Sequence, residues 1–152
     1  MHSRIIELSK KPIKKGERIR ESDYYDNGFI GNIANYVSGD VDREHDIKWF
    51  VSYLKGKDML IKSDNKSFTL GSSAREKYFK EKYDALKEYI ANVSLEKFCT
   101  YSLDLYRIGA YIEEKDDFYI HHDGYYETLD SFMRHVEDGD TWYFGGTLDY
   151  HF

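Results

Sequence analysis

The chain alternates between two hydrophobic rhythms. A two-residue rhythm predicts strands at Ser3–Ser9, around Phe118–His122, and at Thr141–Phe144 and Thr147–Phe152. The same rhythm at Leu103, Leu105 and Arg107 predicts a strand there, its polar face imperfect because Asp104, Tyr106 and Ile108 fill the intervening positions. Between these lie helical spacings. Phe29, Ile30, Ile33, Ala34 and Val37 predict a helix stopped by Ser38-Gly39. Ile47, Phe50, Val51 and Leu54 predict a second, with acidic residues from Asp40 to Glu44 at its start and Gly56 at its end.

Met59–Lys62 and Ser67–Leu70 flank Asp64-Asn65 and predict a β-hairpin. Ser73 and Glu76 have capping-box spacing. Phe79, Tyr83, Leu86, Ile90 and Val93 then mark one face of a helix from about 73 to 92. Asn92 and Ser94 allow a further turn through Phe98. Glu113–Asp117 reads as a charged turn and Asp123-Gly124 as another. Leu129, Phe132, Met133 and Val136 form a short helix after a Thr128 cap, and Gly145-Gly146 is a bulge or tight turn. Helices and hairpins mix without regular βαβ alternation. The expected fold is therefore α+β: a small mixed or antiparallel sheet of hairpins with three to four helices packed on it.

Length changes this picture little. At 152 residues, the chain is the size of one domain, read as residues 1–152 with a basic arm over 10–20. A single cysteine, Cys99, rules out an intramolecular disulfide. With no long apolar run and no signal-peptide pattern at the start, the expected location is cytoplasmic.

Charge is uneven. Residues 1–20 carry seven basic side chains against two acidic ones; residues 101–152 carry three basic and twelve acidic. The whole chain is −6, which argues against a duplex-binding surface. Lys10-Lys11 and Lys14-Lys15 lack interleaved aromatics, so a solvated loop is the default reading of the basic arm. Fifteen tyrosines suit either half-buried strand positions or an interface.

Strong catalytic signatures are missing. The chain has no phosphate-binding glycine motif and no paired-cysteine or His-Glu-x-x-His zinc pattern. Asp40–Asp46 imitates a calcium loop, but His45 stands where a glycine is needed and Val51 where the twelfth-position acid belongs. One constellation is left. His121 and Asp123 are two apart at one strand end, and Asp149 and His151 two apart on another. Alternate strand residues share a face, so neighbouring strands would bring both pairs together around a divalent metal that activates water for hydrolysis.

The preferred reading is a non-catalytic protein-binding or accessory domain without a cofactor. Its expected surface is the acidic, tyrosine-rich C-terminal third: Tyr125, Tyr126, Trp142, Tyr143, Asp138 and Asp140. The expected partner is a protein with a basic surface, with imitation of nucleic acid as a special case. Neither nucleic acid nor membrane is an expected partner. The alternative is the metal-dependent hydrolase.

Overall fold

The computed structural model of the protein describes residues 2–112 and 118–152. Its centre is the antiparallel pair β1 (His2–Ser9) and β7 (Thr141–His151), in register from His2 opposite His151 to Ser9 opposite Tyr143. β7 is one strand where the sequence predicted two. Gly145 and Gly146 are a bulge inside it, the two residues together opposing Glu7.

The remaining strands extend this pair on both sides. They are β2 (Tyr36–Ser38), β3 (Leu60–Ser63), β4 (Ser67–Leu70), β5 (Phe118–His122) and β6 (Tyr125–Thr128). The sheet runs β3-β4-β7-β1-β5-β6, and β2 joins the far end of β7 beyond β4. Every pairing is antiparallel except β1 with β5. The β5–β6 hairpin turns at Asp123-Gly124, where both residues have positive φ, as a tight two-residue turn matched to strand twist requires.

Six helices accompany the sheet among the described residues: α1 (Phe29–Asn32), α2 (Arg43–Gly56), α3 (Ala74–Ala91), α4 (Leu95–Cys99), α5 (Leu103–Ile112) and α6 (Leu129–Met133). The α+β class holds. One core lies on the face formed by Ile6, Leu8, Phe68, Phe118, Ile120 and Phe144, under α2, α6 and the start of α3. Phe50 of α2 is fully buried there against Phe68, Phe118 and Phe144. The opposite face carries Ile5, Tyr119, Leu148 and Tyr150, and among the described residues no long helix lies over it. The irregular stretch 15–34 covers it instead, placing Ile19, Tyr24, Phe29 and Ala34 on the strands.

Several elements depart from the sequence reading. The segment 103–108 is helical, because Leu105 and Ile108 also satisfy helical spacing and the segment packs beside α3 instead of a strand. The helix expected over 29–37 lasts one turn. Gly31 at φ 95 breaks it, and Tyr36–Ser38 goes to the sheet. Ser73 does not cap α3; it has φ 56, and the Asp138 carboxylate accepts the Ser73 and Ala74 N–H groups in its place. Residues 125–128 form a short edge strand that no sequence signal marked. The expected charged turn Glu113–Asp117 lies outside the described residues. The Thr128 cap on α6 and the Ser94 cap on α4 are both present.

Candidate interaction surfaces

The acidic aromatic residues of the C-terminal third divide among three environments. Tyr125, Trp142 and Asp140 share a cleft of about 340 Å³ with Lys10, His122 and Glu127. Only Tyr125 of the four expected rings is exposed. Trp142 is buried against Phe132, and its Nε1 has no hydrogen-bond partner among the described residues. Tyr126 joins the opposite core, packing on Phe29. Tyr143 is half-buried on β7, and Asp138 serves as the α3 cap. Period-two alternation alone sends these rings to opposite faces of the sheet.

Lys10 forms part of the cleft wall. Its ammonium lies 4.3 Å from the Trp142 ring centre and pairs with Asp140. His122 pairs with Glu127 at 2.5 Å, and Ser131 donates to the same carboxylate. Carboxylates read as an outward-facing acidic surface thus hold the protein's own groups.

The residues of the expected metal set do not meet. β1 separates β5 from β7. His121 faces the irregular cover, with its Nδ1 2.7 Å from the Tyr24 hydroxyl. Asp149 faces the helical side, where Arg4 bridges it to the buried Asp46 of α2. His151 stacks on Tyr36 at 5.3 Å, and Asp123 lies exposed in the β5–β6 turn. Among the described residues, no group of three or more His, Cys, Asp or Glu side chains converges to hold a metal.

A different surface dominates the molecule. The stripe Phe79, Tyr83, Leu86, Ile90 and Val93 predicted a helix face against a core. Only the start of α3 reaches one, and Ala74 and Tyr78 are its buried residues. The 18-residue helix, about 27 Å long at 1.5 Å per residue, runs on past the sheet. α5 returns beside it, with Tyr111 packed on Tyr89 at 5.4 Å. α4 makes the bend, tied down by the Lys97–Asp104 ion pair at 2.9 Å. Neither α4 nor α5 buries a single residue.

The resulting helical spur exposes Tyr83, Ile90, Leu95, Phe98, Tyr101, Leu103, Tyr106 and Ile112, each more than half accessible and Leu95 80% accessible. Six other large apolar or aromatic side chains are exposed across all the remaining described residues. Sequence reasoning missed the spur because the stripe of an amphipathic helix looks the same whether or not a partner covers it. No described helix is long and apolar enough to cross a membrane.

Comparison of the chain with protein-family models, with curated proteins and with solved structures gave no match.

Proposed function

We propose that this protein is a non-catalytic protein-binding domain whose docking element is the helical spur of α3, α4 and α5, and that the spur takes a second copy of the chain. The observation that carries this reading is the concentration of exposed apolar side chains on one projecting hairpin. A concentration of exposed apolar side chains of this size is uncommon on proteins that stay alone in water, and it marks interaction sites.

Area and charge favour a second copy. Eight half-exposed side chains of this size offer roughly 800 Å². That is about what each partner contributes to a stable interface of standard size. The whole chain is −6, yet residues 83–112 carry four acidic and three basic side chains. Two spurs therefore meet with little like-charge repulsion, even though their parent domains repel. Two helical hairpins related by a two-fold axis bury their apolar faces in a four-helix arrangement. The C-terminal cleft is a weaker docking site, because Lys10 already pairs with its Asp140 and covers its Trp142 ring.

The test is the molar mass of the full chain in solution across a dilution series. The expected result is a concentration-dependent rise from 18.1 kDa towards twice that value. Phe98→Asp and Tyr106→Glu should each return the monomer without altering the helical circular-dichroism signal. A monomer at every concentration, or an unchanged dimer in both variants, overturns the proposal. Retention of a different protein by the wild-type spur alone would assign the surface to another occupant.

A further inference from the structure

On the sheet face away from α2, a second site is built by residues that the spur does not involve. The turns over residues 15–17 and 21–24 cross this face and are pinned at Ile19, whose N–H donates to Glu7 Oε2 at 3.0 Å. Arg18 and Arg20 flank that pin. Arg43, the first residue of α2, reaches over from the other side; its Nε donates to the Gly145 carbonyl at 2.6 Å and its Nη2 to the Phe144 carbonyl at 3.2 Å. With Lys15, these three arginines line an open cavity of about 590 Å³.

Among the described residues, none of the four cations is paired with a carboxylate. The Arg18 Nε is shielded from solvent and has no hydrogen-bond partner. Glu21 is the one acidic residue in the lining, and its carboxylate is engaged, accepting the Gly39 N–H at 2.6 Å. Arg43 is held below the ordinary arginine range, first by burial and then by the facing charge of Arg18, against the opposing pull of Glu44 and Glu7. A structural role accounts for Arg43, which ties α2 to the bulge. Arg20 Nη2 donates to the Gly16 carbonyl at 3.2 Å within its own loop, which leaves Lys15 and Arg18 beside Arg43 without such an account among the described residues. Converging like charges that no carboxylate pairs with directly cost folding energy, and on a chain of net charge −6 they form a local field of the opposite sign.

From this arrangement we infer a binding site for a small, multiply charged phosphate compound, held by Arg18, Arg20, Arg43 and Lys15. Guanidinium forks match phosphate oxygens in pairs, and a shielded, unpartnered Nε–H is satisfied by one such oxygen. The phosphate can arrive as a free anion or as part of a nucleotide.

Titration calorimetry on the full chain at low salt tests the site, with inorganic pyrophosphate and ADP as separate probes. The expected result is saturable one-to-one binding of pyrophosphate, weakened about tenfold or more by Arg18→Gln. The exposed Arg20→Gln serves as a second variant should Arg18→Gln perturb folding, with the melting temperature checking both. Tighter binding of ADP than of pyrophosphate assigns the phosphate to a nucleotide; equal or weaker binding assigns it to the free anion. No saturable heat at millimolar pyrophosphate, or unchanged affinity in both variants, overturns the inference. So does a single-stranded oligonucleotide binding far more tightly than either probe, since the groove would then belong to a polymer.

Discussion

Glu7 and Gly145 lie so close across the β1–β7 ladder that a Cβ on Gly145 would stand 2.1 Å from Glu7 Oε2. The contact follows from the bulge. By setting two residues of β7 against one of β1, it turns the Gly146 N–H onto the Glu7 carboxylate at 2.6 Å, while Ile19 donates from the overlying turn. A buried carboxylate needs such donors. Gly145→Ala should therefore destabilise the protein by about 1–3 kcal/mol, because the Glu7 carboxylate can swing clear of the new Cβ only by giving up the Ile19 and Gly146 donors. Glu7→Ala removes the obstruction, so Gly145→Ala in that background should cost much less. Urea unfolding of the four proteins in a double-mutant cycle measures the coupling; additive effects would refute the relationship.

Phenylalanines of the core and of the spur should differ sharply. Phe50 is fully buried, and Phe50→Ala should cost about 3–5 kcal/mol. Phe98 is 65% exposed, and Phe98→Ala should change monomer stability by less than about 0.5 kcal/mol. Unfolding at the lowest measurable protein concentration makes the comparison free of association. A large loss in Phe98→Ala would mean that the spur packs on its own domain.

Asp130 is buried at the start of α6, accepting from the Tyr78 hydroxyl at 2.7 Å and pairing with Lys82. These contacts bind the base of the spur to α6. Tyr78→Phe keeps the ring and deletes the donor, so it should cost about 1–3 kcal/mol as the carboxylate loses a partner. Thermal unfolding reads the loss, and an unchanged midpoint would show that water replaces the hydroxyl.

His121 should make stability fall in mild acid. Burial holds its imidazole below the ordinary value of 6.5, partly offset by Glu7 and Asp23, while neighbouring His122 adds to the lowering. Because the folded-state value is depressed, the unfolded chain takes up the proton first as pH falls. The neutral ring's contribution is then complete above the ordinary value and declines as pH drops through and below it. The decrease in urea midpoint between about pH 7.5 and pH 5.5 should shrink in His121→Gln, and an identical decrease would assign the effect to other groups.

The sheet's composition was legible wherever a segment's own chemistry decided the outcome. The β3–β4 hairpin, the helices bearing Phe50 and Phe79, the Thr128 cap and the Asp123-Gly124 turn are all readable locally, because spacing and turn chemistry act within a few residues. The 103–112 segment was not, since its apolar positions satisfy both periods and only its packing beside α3 selects the helix. Nor was the Ser73 cap, displaced by a carboxylate 65 residues away.

By itself, the order of amino acids determined an α+β chain with an acidic surplus, helices of known rhythm and a glycine pair suited to a bulge. Tertiary structure alone decided which strands are neighbours. That decision put β1 between β5 and β7, sent His121 and Asp149 to opposite faces, and closed Trp142 over Lys10. It also left half of α3 beyond the sheet and drew Arg43 to Arg18 across the opposite face. The physical reason is that strand order and helix overhang are set by long-range burial and loop closure, and a residue's spacing along the chain carries no record of either.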